Sequence, residues 1–412
     1  MKINKLLAGL AALVVGVAAA SAQNGTISPY SRYGYGLMSD HATSAQTAMG
    51  GVGYAMHSGR QINVMNPASY ARIDSLTFLF DMGFDMSALW TSEQNGDKRV
   101  SEKNFGGGLG YITMQFPVTR YLGMSVGLLP YSSVGYAFGN SVENGITRRS
   151  GDGSLNELYL GISGRLFKGL SVGVNMSYLF GTTNNYTYAI NDLGSTSLFV
   201  RETEVRDWHL TAGLQYVQQL GSDNVALGLV YSPSKKLLGH AITSVQDIDN
   251  DNNPVQQSRT SLGEGYGLAA TYGIGISYTR NYLLTVEADF TYQPWSKVKY
   301  DGAKGTLNDR YRGALGVEYR PSNRGGYFRR TQYRAGVFYE QDYIKAGTNK
   351  VRDYGVTFGF GLPVPGFKTV INLGFEWLHR RAYPTALVKE NYLNITIGVN
   401  FNEMWFRKSR IY

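Results

Sequence analysis

Hydrophobic and polar residues alternate with a period of two along most of the chain, the pattern of a sheet with one apolar face. Over 76–88, Leu76, Phe78, Phe80, Met82, Phe84 and Met86 share one side, and Thr77, Asp81, Gly83, Asp85 and Ser87 the other. Leu122, Met124, Val126 and Leu128 repeat the pattern, as do Val172, Val174, Met176, Tyr178 and Phe180. So do Leu284, Val286, Ala288, Phe290 and Tyr292, then Ile371, Leu373, Phe375 and Trp377, then Leu393, Ile395, Ile397, Val399 and Phe401. These runs predict fourteen strands, at 75–90, 104–116, 121–138, 154–166, 170–181, 200–219, 223–240, 260–279, 282–295, 308–320, 328–342, 351–362, 367–380 and 389–406.

The connections alternate in length. Short ones fall at 117–120, 167–169, 220–222, 280–281, 321–327 and 363–366. Long ones fall at 91–103, 139–153, 182–199, 241–259, 296–307, 343–350 and 381–388. Short turns on one side, long loops on the other and an even strand count are features of bacterial outer-membrane barrels. In lipid every backbone N–H and C=O needs a partner within the protein, so such a sheet closes. Trp90, Tyr121, Tyr292, Trp295, Tyr319, Trp377, Trp405 and Phe406 sit near strand ends, where interfacial girdles form. The expected fold class is all-β: a 14-stranded antiparallel transmembrane β-barrel over 75–406, with residues 407–412 as a periplasmic tail. Inward-facing glycines admit two readings, close approach of chain or ligand, or relief of barrel curvature.

Composition narrows the class. Lys2 and Lys5 precede an apolar run from Leu6 to Ala20, and Ala20-Ser21-Ala22 stands before Gln23. This reads as a signal peptide over 1–22, too short to span a bilayer. Its two lysines lower the formal charge from +9 to +7, no nucleic-acid footprint. Gly is 51 of 412 residues, well above the usual ~7%. The absence of Cys excludes disulfides and thiolate chemistry, and 5 His leave little for multi-His metal sites. A soluble secreted all-β protein is the other class that survives.

Residues 23–74 lack sustained alternation. They are small, Gly- and Ala-rich and weakly charged, a poor composition for a solvated tail. They read as an N-terminal hatch, or plug, inside the barrel. Here Ala48-Met49-Gly50-Gly51-Val52-Gly53-Tyr54-Ala55, followed by Asn66-Pro67-Ala68, resembles the hatch of the FadL/TodX family of outer-membrane transport proteins. The resemblance implies fourteen strands, a hatch with an Asn-Pro-Ala motif, and a kinked third strand that opens the wall sideways. Pro130, in Leu128-Leu129-Pro130-Tyr131, interrupts the third strand and lacks a ladder donor. Gly50, Gly51, Gly53, Asn66, Pro67 and Ala68 are the candidate hatch and gate residues. Pro130 and Tyr131 are the candidate lateral kink. The segment Ser28-Pro29-Tyr30-Ser31-Arg32-Tyr33-Gly34 departs from the family pattern.

No nucleophile elbow, HExxH, P-loop or dinucleotide fingerprint stands in a proper context, so neither an enzyme nor a cofactor is expected. Asp247-Ile248-Asp249-Asn250-Asp251-Asn252-Asn253 fails the EF-hand pattern at its sixth and twelfth positions. Arg310, Arg312, Arg320 and Arg334 face inward with Glu318, Glu340, Asp353 and Glu376. Arg312 and Arg334 are candidate headgroup contacts, against a bracing network of ion pairs. Inward Leu79, Leu89, Leu129, Leu179, Phe338 and Leu378 either line an acyl path or pack on the plug.

Two functions follow as expectations. One is passive outer-membrane transport of a hydrophobic small molecule, such as a long-chain fatty acid, with capture at loops 182–199 and 241–259 and release sideways at Pro130. The other is an accessory barrel subunit of an outer-membrane secretion or assembly complex. There the expected contacts are Ser28–Gly36 and the tail Arg407-Lys408-Ser409-Arg410, and the partners are envelope proteins. Membrane lipid is a partner in both, nucleic acid in neither.

Overall fold

The computed structural model describes residues 28–404, apart from 96–97, 143–144, 192–195, 238, 249–253, 263–264, 323 and 386. Fourteen strands form the wall. They are β1 (Thr77–Asn95), β2 (Lys98–Pro117), β3 (Leu122–Ser133, continued by Tyr136–Val142), β4 (Gly145–Phe167), β5 (Leu170–Asn191) and β6 (Thr196–Leu220). Then come β7 (Asp223–Ser232, continued by Gly239–Ile248), β8 (Pro254–Leu262, continued by Thr271–Arg280), β9 (Leu284–Gln293) and β10 (Arg310–Tyr319). The last are β11 (Gln332–Ala346), β12 (Asn349–Pro363), β13 (Val370–Tyr383) and β14 (Lys389–Met404). Each strand pairs antiparallel with the next, and β14 returns to β1 from Thr77↔Met404 to Ser92↔Lys389, closing the barrel. The expected fold class holds.

The period-two code is the code of the wall. Leu158, Leu160 and Ile162 on β4 are about half exposed and face outward, while Tyr159 and Gly161 between them and Ser163 after them are buried. Trp90, Tyr121, Tyr319 and Trp377 are exposed on the outer surface as expected; Trp405, Phe406 and the basic tail lie outside the described residues, as does the signal peptide. Trp295 corrects the girdle expectation. It sits in a short 3-10 turn, 1% exposed, with its ring 5.0 Å from that of Tyr343 inside the barrel mouth. A second correction concerns the loops. Most of 91–103, 139–153 and 182–199 is paired strand: β1–β2 reach Asn95↔Lys98, β3–β4 reach Val142↔Gly145, and β4–β5 pair to Gly145↔Asn191. A hairpin that extends beyond a bilayer needs no apolar stripe on either face, so alternation does not reveal it. The acidic stretch Asp247–Asn253 lies largely outside the described residues.

The chain before β1 runs through the lumen. It carries 3-10 turns at Pro29–Arg32 and Pro67–Arg72, a two-residue strand at Leu37–Met38 and one helical turn at Ser44–Thr47. Two packed clusters close the bore. Toward the outer hairpins, Tyr30 and Tyr35 pack with Leu155, Leu179, Trp295, Tyr343 and Ile344. Toward the short turns, Ile62, Val64, Tyr70 and Ile73 pack with Leu79, Tyr111, Leu129 and Tyr159.

Candidate functional site at the lateral seam

The hatch is fixed by its own backbone. Asn66 caps the Pro67–Arg72 turn: its Oδ1 accepts from Ala68 N at 3.0 Å, and Pro67 occupies a first helical position, where no N–H is needed. Its Nδ2 donates to Tyr54 O at 2.7 Å and to Leu214 O in β6 at 3.2 Å. Ala68 O accepts from Ser163 Oγ at 3.0 Å. The N–H groups of Gly53 and Tyr54 donate to Asp289 Oδ2 at 2.6 and 2.9 Å, and Gly50 N donates to Thr357 Oγ1 at 2.8 Å. Gly50 and Gly51 hold φ of +77° and +76°, which L side chains rarely adopt. Wall glycines complete the fit. A Cβ on Gly228 would strike the backbone of Tyr54 and Ala55, one on Gly173 the backbone of Pro67, and one on Gly336 that of Met49 and Gly50. Close approach of chain to chain is therefore what these wall positions serve.

The wall comes apart beside Pro130. β2 and β3 pair from Pro117↔Gly123 only as far as Ile112↔Leu128. Pro130 stays opposite Asn156 of β4, and the register slips between Pro130 and Ser132. Beyond it β3 turns from β2 to the hatch: Met38↔Ser132 and Leu37↔Ser133 pair, Ser39 N donates to Tyr131 O at 3.0 Å, and Ser28 N donates to Gly135 O at 2.7 Å. The outer half of β2 keeps β1 as its one paired neighbour among the described residues. Gly106, Gly107, Gly108 and Gly110 occupy this stretch. A cavity of about 610 Å³ lies behind the seam, bounded by these glycines, Pro130, Leu89, Leu378, Asp85, Glu376, Arg312 and Arg380. The ring of Tyr131 lies between His41 and His209, at 5.9 and 6.1 Å. Both imidazole Nε2 atoms approach Glu157 Oε2, at 3.6 and 3.3 Å.

The cavity wall is charged. Asp40 of the hatch takes Arg310 Nη2 at 2.6 Å and Arg312 Nε at 2.9 Å, and Arg310 Nε also donates to Glu340 at 2.6 Å. Arg312 donates to Gly50 O at 3.0 Å and lies 4.5 Å above the ring of Phe338. Arg380 grips Asp353, with Asp342 at 3.7 Å and Glu390 at 3.9 Å. The charged groups that line the cavity are Asp40, Asp85 and Glu376 against Arg312 and Arg380, so carboxyl groups outnumber guanidinium groups there, while Arg310, Glu340, Asp342, Asp353 and Glu390 pair behind the lining. Arg334 is elsewhere, donating to Glu318 at 2.8 Å, Asn372 at 2.7 Å and Gln332. Arg380 is the residue sequence reasoning missed: it shares the cavity wall with Arg312, and the Nη1 of each is buried without a hydrogen-bond partner. The inward apolar residues divide. Leu89 and Leu378 line the cavity, Leu79 and Leu129 pack on the hatch, and Leu179 joins the outer cluster.

Solved structures share this architecture. The Pseudomonas putida toluene transporter TodX is 17% identical, over 91% of this chain and 100% of its own, with a TM-score of 0.66. A Pseudomonas aeruginosa FadL homologue is 11% identical, over 89% and 99%, with a TM-score of 0.63. The Ralstonia pickettii toluene transporter TbuX is 16% identical, over 87% and 97%, with a TM-score of 0.57. At such identities the likeness is one of fold, and at that level the resemblance to FadL and TodX holds. The chain matches none of the curated proteins. Family membership comes from a whole-chain match: the model described as BamG covers residues 3–412, and the chain belongs to the BamG family.

Proposed function

We propose that this outer-membrane barrel works through its side, passing a hydrophobic small molecule between its interior and the surrounding lipid at the seam above Leu128. The observation that carries this reading is the continuity of one cavity of about 610 Å³ from Leu89 and Leu378 to the glycine edge and Pro130. That volume is within the usual range of small-molecule sites. The excess of carboxyl groups disfavours a free carboxylate there, so the ligand is apolar with an uncharged head. Arg312 acts with Arg380, rather than with Arg334, to order the cavity wall. Gly50, Gly51 and Gly53 let the hatch turn, and Asn66, Pro67 and Ala68 brace it during passage. The test is mass spectrometry of lipid retained by the purified barrel. Gly108→Trp places an indole where a Cβ meets nothing within 4 Å, and so fills the seam without straining the wall. Retained lipid in the parent and its loss in this variant support the reading. Equal retention in both sinks it.

A second reading, an accessory subunit of an outer-membrane secretion or assembly complex, draws on two observations. The family match spans the chain, whereas the hydrocarbon channels share only its fold. The outer end of the bore is closed by buried aromatic residues, with Tyr35 and Trp295 each 1% exposed, which does not favour entry from outside. A stoichiometric protein partner on purification in mild detergent supports it, and a barrel that elutes alone at every stage counts against it.

A further inference from the structure

Residues 105–109 of β2 pair with β1, Gly110 sits at a bulge between Leu109 and Tyr111, and the described pairings place no strand on the other side of this stretch. Within a bilayer a bare edge leaves alternate backbone N–H and C=O groups without partners, because hydrocarbon supplies none. An acyl chain offers neither donors nor acceptors, so lipid alone does not satisfy it. Another backbone does, by adding a strand. The edge is also shaped for one. Four of its six residues are Gly106, Gly107, Gly108 and Gly110, so no side chain holds an incoming strand away, and the space at Gly108 is open.

From this edge we infer that the seam docks an extended segment of a partner polypeptide, with basic side chains at alternate positions pointing into the cavity. This deepens the accessory-subunit reading and rests on it. The chemistry of the partner follows from the two faces it meets. Inside lie Asp85 and Glu376, on a wall where carboxyl groups outnumber guanidinium groups, so lysine or arginine is the complement. Outside, Phe105 and Leu109 flank the site at 62% and 42% exposure, so the alternate positions are apolar. A second copy of this chain does not fit, because its own edge reads Phe105-Gly106-Gly107-Gly108-Leu109-Gly110 and carries no base.

The test uses the full-length mature barrel in phosphatidylcholine nanodiscs and fluorescence anisotropy of three dye-labelled nine-residue peptides, with empty nanodiscs subtracted. One alternates Lys and Val. The second replaces alternate Val by Pro, keeping the charge and removing backbone donors. The third alternates Glu and Val. The Lys–Val peptide is expected to bind about tenfold or more tighter than either control. Asp85→Asn combined with Glu376→Gln weakens it about tenfold or more, and Gly108→Trp abolishes it, while heat-modifiable gel mobility shows each variant folded. Equal binding of the proline peptide overturns strand addition. Equal binding of the acidic peptide, or indifference to the charge variant, overturns the stated chemistry. Hexadecanol held in the cavity with no peptide binding overturns docking and leaves lateral transport standing. The accessory-subunit reading fails separately, through the absence of a stoichiometric partner.

Discussion

Asn66→Ala tests whether the hatch is a separately held unit. The side chain is fully buried and makes three contacts: the cap to Ala68 N, and donations to Tyr54 O and Leu214 O. Loss of the cap costs about 1 kcal/mol. Tyr54 O keeps Gln215 Nε2 at 3.1 Å, so the two carbonyls together lose a further ~1–2 kcal/mol. The sum, ~2–3 kcal/mol, raises the hatch opening equilibrium about 30- to 150-fold. Asn66→Ser retains a cap acceptor and loses both donations, so its increase is about tenfold. Residue-resolved amide exchange of the barrel in nanodiscs reads this at Gly53, Tyr54 and Ala68, with β5 and β6 amides as reference. Hatch rates within threefold of the parent would show that these contacts do not hold it. Hatch and wall rates rising together would show that the two open as one unit, which refutes the reasoning.

Gly228→Ala drives a methyl group into the hatch backbone at Tyr54 and is expected to destabilise hatch docking by ~1–3 kcal/mol, whereas Gly313→Ala enters open space and leaves it unchanged; proteolysis of the hatch in detergent compares them. Trp295→Ala removes a fully buried ring from the outer cluster at a cost of ~3–5 kcal/mol and raises single-channel conductance in planar bilayers; a silent channel would place the seal elsewhere. Burial alone would raise the Asp40 carboxyl, but Arg312 and Arg310 outweigh it and hold it below the usual carboxylate range. Its contribution is therefore complete above the unfolded value of about 3.9 and is lost as pH falls through the lower folded value, so hatch amides exchange faster only in strong acid. Asp40→Asn removes that acid dependence, and an unchanged acid profile in this variant assigns it to other groups.

What the sequence made legible follows from which surfaces lipid touches. Leu158, Leu160 and Ile162 alternate with buried Tyr159 and Ser163 because one face of β4 meets hydrocarbon, and this period exposed the wall strands. The outer hairpins within 91–103 and 139–153 need no apolar face where a barrel leaves the bilayer, so their pairing left no period to read. Alternation also assigns a side without a height. Arg312, Arg334 and Arg380 all face inward, yet only register places Arg380 beside Arg312 and sends Arg334 to Glu318 and Asn372. Trp295 looked interfacial because its neighbours are strand-like, and the 3-10 turn that folds it inward has no strong signal. Pro130 marked the break in β3, but the bare edge it leaves on β2 is a property of missing pairing. The run Gly106-Gly107-Gly108-Leu109-Gly110 is the one local sign of it.

The most direct measurement is amide exchange along β2 itself in lipid nanodiscs. With a seam above Ile112↔Leu128, residues 112–115 are protected on both sides, while alternate amides across 105–110 exchange about tenfold or more faster through the cavity. Uniform protection from 105 to 115 would mean a continuous wall, and would contradict the lateral opening on which the transport reading and the docked strand stand.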